Sequence, residues 1–320
     1  MALMWVQGAI TVTFLLSGGC YASSEGAWCY NDHHCGPETW HSIGHCNGKK
    51  QSPIDIVTSE CIHNSRLGPV TLTGYDDSKK LLEMKNNGKT VEIELGEGLH
   101  LHGYGLSGTY TAKAFHLHWG NGFSRPGAEH YVNGKRYSME LHIVHTKNNM
   151  NISEALKDPE GIAVLGFFLD GSDLAEGKAA ESWKSFTENL KKVSKKGEDT
   201  ELEGSISLED LTGETHLDRY YRYLGSLTTP NCNEVVIWTI FAEPIEVPFE
   251  VVEAFPAELH STNSSNGPHL QKNYRPLQEL GERKVEASAA LKDSAASLGL
   301  QQVAFLNFVF TATLASFLLV

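Results

Sequence analysis

Seven short runs of apolar or alternating residues constrain this chain more than any other feature. They are Val70 to Tyr75, Leu81 to Lys85, Val91 to Leu95, Ala114 to Trp119, Met139 to Thr146, Ala163 to Leu169 and Val235 to Phe241. Gly, Asn and Asp punctuate them, as at Asn86-Asn87-Gly88 and Asn133-Gly134, so the runs read as strands. Helical periodicity is clear once between them, where Trp183, Phe186, Leu190 and Val193 share a face between Ala179 and Lys195. A second short helix is expected after Pro248, carrying Val251, Val252 and Phe255. The pattern predicts a mainly β (α+β) single domain, with a large, mostly antiparallel, twisted central sheet and short peripheral helices.

Both ends differ from this middle. No charged residue precedes Glu25 and none follows Asp293. Residues 2–16 are apolar and small residues follow to Ala22, so 1–22 reads as a signal peptide. Val303 to Val320 is an uncharged tail with small residues upstream, at Ala287-Ser288-Ala289-Ala290 and Ser294-Ala295-Ala296-Ser297. Small residues, a short polar spacer and a terminal apolar tail make a glycosylphosphatidylinositol signal, with Ser294 or Ser288 as attachment residue. A retained tail anchor is the other reading, although Asn307, Thr311 and Thr313 make a mediocre spanning helix. The expected division is a folded domain over 23–284, a linker over 285–294 and a removed propeptide over 295–320. This places the domain at the outer face of a cell membrane.

Charge and cysteines fit that compartment. With 26 Lys+Arg against 39 Asp+Glu, the net charge is -13, and no long basic run is present, which excludes nucleic acid as a partner. Of six cysteines, Cys20 leaves with the leader, and an odd remainder allows at most two disulfides and leaves one thiol. Sequons begin at Asn151 and Asn263 and are expected to be glycosylated.

The chain has 15 histidines, and their positions carry the chemistry. In His116-Leu117-His118, the two-residue period puts both imidazoles on one face, about 7 Å apart along the strand. Alone, such a pair is more often a surface or core feature than a ligand set. Glu140-Leu141-His142-Ile143-Val144-His145 also alternates, and antiparallel pairing of the two runs would bring His142 in as a third ligand. His145 then faces away and reads as structural. Three nitrogen ligands without cysteine suit Zn2+ and leave a fourth tetrahedral position for water. Glu140 shares the face of His142 and can accept its other N–H.

Four ordered blocks now resemble the α-class carbonic anhydrases: Phe115-His116-Leu117-His118-Trp119, Gly127-Ala128-Glu129-His130, Glu140 to His145, and Tyr223 to Pro230. Pro37-Glu38-Thr39-Trp40, Gln51-Ser52-Pro53-Ile54 and Asn273-Tyr274-Arg275-Pro276 extend the likeness from Trp28 to about Leu280. The secretory start and removable tail look most like the family's membrane-anchored members, of the isoform-four type with isoform fifteen near. The resemblance implies the α-carbonic anhydrase fold, zinc on His116, His118 and His142, and reversible hydration of carbon dioxide to bicarbonate by zinc-held hydroxide. It implies that Thr228 relays a proton to Glu129, and that Thr229 contacts bicarbonate. Val144, Val164, Leu227, Val236 and Trp238 match the lining of the carbon dioxide pocket. Glu140, His130, Tyr223 and Asn273 match groups that support the ligands. It also implies disulfides Cys29–Cys35 and Cys46–Cys232, with Cys61 unpaired, and makes a bicarbonate transporter a plausible partner.

Two positions depart from the family. Lys89 stands where fast members carry a proton-ferrying histidine, and a lysine charged at pH 7 is a poor relay unless burial lowers its pKa. His100 and His102 are candidate substitutes for it. Ala114 replaces a glutamine that supports the first zinc histidine, which predicts looser zinc. A catalytically weak or idle binding module that retains the fold is the alternative reading.

Overall fold

A computed structural model describes residues 28–202 and 206–291. The expected leader, Ser294 and the tail from 295 lie outside the described residues. Among the described residues, no helix is long and apolar enough to cross a membrane.

Thirteen of the described strands form one sheet, and most neighbours in it run antiparallel. Its centre is the strand Tyr110–Trp119 beside Met139–Lys147, then Ile162–Gly171, Val236–Phe241 and Tyr220–Gly225. Ile162–Gly171 pairs Val236–Phe241 in parallel, so the chain must cross over between them. The crossover carries the helix Gly177–Glu188, continued as a 3-10 turn Asn189–Val193, and buries Trp183, Phe186, Leu190 and Val193 as their spacing predicts. The helix Phe249–Glu258 follows Pro248 and buries Val251, Val252 and Phe255.

Central strands are covered on both faces, so their alternation separates two cores and not core from solvent. Phe115, Leu117, Leu141, Ile143 and Leu165 point into the larger core with Trp183 and Phe186. Val164, Trp238, Tyr223 and Val236 belong to a second cluster on the opposite face. The histidines at 116, 118 and 142 share that second face by parity.

The expected linker from 285 is a correction. Val285 is buried in the second core, and Glu286–Ala287 is a strand between Tyr221–Arg222 and Ile62–His63. Ser288 is fully buried, its hydroxyl donating to Asp218 O and accepting the amide of Tyr220. The polar, small-residue composition of this stretch hides its use as a sheet strand, where backbone pairing is what matters.

Candidate metal centre

Strand register assembles the site. His142 lies opposite His116, Glu140 opposite His118, and Val144 opposite Ala114. The three imidazoles are 5.0, 5.3 and 4.6 Å apart between ring centroids, and one nitrogen of each lies within 4.8 Å of the others. His118 and His142 are buried, and His116 is half-buried at the opening.

Hydrogen bonds fix which nitrogen faces inward. Nδ1 of His118 donates to Asn273 O at 2.7 Å, so its Nε2 lone pair is free. Nε2 of His142 donates to Glu140 Oε1 at 2.7 Å, which frees Nδ1. The His116 ring makes no hydrogen bond among the described residues, and Ala114 offers it only a methyl group. Burial holds His116 well below its ordinary pKa, helped by the neighbouring His118 and His142. Burial, then His142, pushes His118 down to about 3. Burial thus favours the neutral form of His116 and His118, the state a cation requires of its ligands.

Glu129 closes the floor. It is fully buried, and its Oε1 accepts the Arg275 amide at 2.7 Å. Oε2 lies 3.4 Å from His118 Nε2 and 4.0 Å from His142 Nδ1. Burial raises this carboxyl to about 7, against the pull of His142, the adjoining Thr228 hydroxyl and the Arg275 amide. Although Thr228 adjoins it, Oε2 has no partner at hydrogen-bond geometry; nor does His118 Nε2. An orphaned ring nitrogen within the histidine trio and an orphaned carboxyl oxygen beside it fit a cation held by the histidines.

A second cluster, His130, Glu140 and His142, also has ligand-like spacing. Its atoms are already committed. Glu140 Oε1 accepts from both His130 Nδ1 and His142 Nε2 at 2.7 Å, and Oε2 accepts the amides of Glu129 and His130 at 2.8 Å. Burial would raise Glu140, but the two imidazoles and their hydrogen bonds hold it well below the usual carboxylate range. This cluster orients His142, its atoms being spent on hydrogen bonds. His130 Nε2 continues to Tyr223 Oη at 2.7 Å, and Tyr223 to Ser52 Oγ at 2.8 Å. Two glycines make space for it. A Cβ on Gly166 would stand 2.6 Å from Ile240 and 3.2 Å from Glu140 Oε1; one on Gly225 would stand 2.2 Å from Ser52 Oγ.

An apolar wall faces the histidines. Register runs Ala114, Val144, Val164, Trp238 and Tyr223 across five strands, and Val236 lies two residues from Trp238 on the same side. Val164, Val236 and Trp238 are buried, while Val144 and Leu227 are partly so. Trp238 sits 4.8 Å from the rings of both His142 and His130. Thr228 is buried and Thr229 half-exposed beside it.

Lys89 is tied down. Its ammonium donates to Trp28 O at 2.6 Å and lies 4.8 Å over the Trp28 ring, while Lys89 O accepts from Asn273 Nδ2. Burial, then Lys196, lowers its pKa. His100 and His102 are not brought to the site. They bond to Thr111 and Thr109, and their strand pairs the opposite end of Tyr110–Trp119. Both disulfides, Cys29–Cys35 and Cys46–Cys232, are formed. Cys61 is free, its thiol pushed up to about 11 by burial and Glu60. Asn151 and Asn263 are exposed, Asn151 capping the short helix Ile152–Ala155.

Sequence reasoning assigned no role to Arg275, Ser52 or Thr90. Arg275 holds Glu129 through its amide, while its guanidinium donates to Gln51 Oε1, Ser52 O and Cys46 O. Thr90 Oγ1 donates to Leu117 O between the two zinc-ligand candidates of that strand. The Gln51-Ser52 and Asn273-to-Pro276 motifs flagged two of these three without saying what they do.

Three histidines converging from adjacent strands, beside a buried carboxyl group and an apolar wall, form a donor set of the kind that holds a catalytic metal. Residues 35–289 match the family described as eukaryotic-type carbonic anhydrase, and the chain belongs to that family. Carbonic anhydrase 4 of Rattus norvegicus is 37% identical over 308 residues, covering 93% of this chain and 95% of the relative. Carbonic anhydrase 4 of Oryctolagus cuniculus is 36% identical over 276 residues, 84% of this chain and 86% of its own. Carbonic anhydrase 15 of Mus musculus is 31% identical over 309 residues, 92% and 94% respectively. The chain is thus an enzyme of the carbonic anhydrase family.

Proposed function

We propose that the protein catalyses the reversible hydration of carbon dioxide to bicarbonate and a proton, with zinc on His116, His118 and His142. The observation that carries this is the convergence of one ring nitrogen from each histidine to within 4.8 Å of the others, with His118 Nε2 among them and Glu129 Oε2 beside them both buried without a hydrogen-bond partner. When bound, zinc supplies Lewis acidity that brings a water's pKa to about 7, the value established for carbonic anhydrases as a class.

The protein's own groups then divide the work. Glu140 and Asn273 O keep two imidazoles aimed inward. Arg275, its guanidinium steadied by Gln51, holds Glu129 through its amide, and the free Oε2 of Glu129 is an acceptor for the adjoining Thr228 hydroxyl. Thr228 Oγ1 is then left as an acceptor, through which it would orient a bound water toward the apolar wall. Val144, Val164, Leu227, Val236 and Trp238 hold an apolar substrate there and exclude competing water. Thr229, at the open edge, contacts the anionic product.

The remaining proton must reach buffer. Burial lowers the Lys89 pKa, but its ammonium is committed to Trp28 O, so it serves poorly as a relay and turnover is limited by proton release. Lys89→His is expected to raise turnover severalfold at low buffer in stopped-flow carbon dioxide hydration. No rise would place the bottleneck elsewhere.

We place the enzyme at the outer cell surface on a lipid anchor attached at Ser294. Attachment at Ser288 would require pulling a buried hydroxyl and a paired backbone out of the sheet. Bicarbonate formed there is available to a transporter in the same membrane. Expressing residues 23–294 and measuring zinc content together with hydration rate tests the reaction. Stoichiometric zinc without rate would favour a binding module.

A further inference from the structure

The face of the sheet that turns away from the metal carries an exposed patch at its last strands. Register places Ile143, Leu165, Thr239, Arg222, Glu286 and Ile62 in one row on that face. The row is buried at its centre but surfaces at the edge, where Ile62 is 49% exposed. Leu224, two residues beyond Arg222 on the same face, is 45% exposed, and Tyr104 is 46% exposed. Arg222 links this row to Tyr104. Arg222 donates to Tyr104 O at 3.1 Å, and the Arg66 guanidinium lies 4.9 Å over the Tyr104 ring. Glu286, the acid in the row, is held by Asn64 Nδ2 at 2.9 Å.

The chain leaves the fold beside this patch. Ala289 donates its amide to Leu67 O, its carbonyl lies 3.4 Å from His63 Nε2, and Asn64 donates to Ala287 O. The last described residue, Leu291, is three residues before Ser294, a reach of about 10 Å even fully extended. Exposed Ile and Leu next to a Tyr and an Arg is the composition that settles at a headgroup layer, the ring at the boundary and the guanidinium on phosphate.

We propose that Ile62, Arg66, Tyr104 and Leu224 form the surface on which the domain rests against the headgroups of its own membrane. This rests on the reading that the chain is lipid-anchored at Ser294. It turns the metal face to the medium, where carbon dioxide, bicarbonate and buffer exchange freely.

The test compares amide exchange of the full anchored protein in phosphatidylcholine vesicles with the same protein released by phosphatidylinositol-specific phospholipase C. Exchange over 60–67 and 103–107 is expected to be severalfold slower in the anchored form. Ile62→Asp with Leu224→Asp is expected to abolish that difference and leave hydration activity unchanged. Equal exchange before and after release overturns the proposal while the anchor stands. Slowing that persists after release with a doubled mass by light scattering also overturns it, and assigns the patch to a second copy. If the phospholipase releases nothing, the anchor reading fails and takes the proposal with it.

Discussion

His142 and His145 sit three residues apart on one strand, both buried, yet they are spent differently. His142 gives its Nε2 proton to Glu140 and keeps Nδ1 free. His145 donates from Nδ1 to the carbonyls of Ile143 and Ala163, and its Nε2 accepts from Tyr75. Neither nitrogen of His145 has anything left to offer a cation. A buried histidine becomes a ligand when its surroundings satisfy one nitrogen only; when they satisfy both, it becomes a brace.

Substitution separates the two positions most sharply. His142→Asn is expected to remove zinc and reduce hydration to background, with the fold intact by circular dichroism. His145→Asn is expected to keep stoichiometric zinc and activity while lowering the unfolding midpoint. Zinc loss from both variants would mean that the two sides of the strand are not independent.

A smaller effect is expected at His116, the ligand with no outer partner. Ala114→Gln restores a group that can reach its outer nitrogen, and supporting partners of this kind are typically worth about 10- to 100-fold in metal affinity. Competition with a chelator measures it, and unchanged affinity would mean that the opening already orients the ring.

The contrast also extends to how stability depends on pH. Burial depresses His145 to about 4, whereas an unfolded histidine titrates near 6.5, as a general reference value. The unfolded chain therefore takes up this proton first as pH falls. The contribution of His145 is complete above about pH 6.5 and is lost as pH drops towards 4, by about 3 kcal/mol in all. Urea unfolding of the zinc-loaded wild type and His145→Asn is expected to show a shallower acid slope in the variant. Parallel slopes would show that His145 is not the titrating group.

The strands, their faces and the pairing of His116 with His142 are legible in the sequence because alternation encodes parity and parity survives folding. The same logic turns His145 away from the metal, but its partner Tyr75 is invisible there, lying 70 residues upstream. Arg275 is hidden for a related reason: it acts on Glu129 through its backbone amide, which every residue but proline possesses. The strand Glu286–Ala287 passes for linker since small and polar residues at a sheet edge read like a tether. Excluding His100 and His102 from the site needs the register at the far end of Tyr110–Trp119, which composition does not reveal.

Asn273 also imposes an order in time. Its carbonyl aims His118, and its side chain binds Trp119 N, Leu117 O and Lys89 O. Arg275, two residues on, fixes Glu129. Both histidine strands leave the ribosome more than a hundred residues before these braces exist. A nascent chain therefore displays all three imidazoles long before the Asn273 carbonyl can aim His118 or the Arg275 amide can hold Glu129.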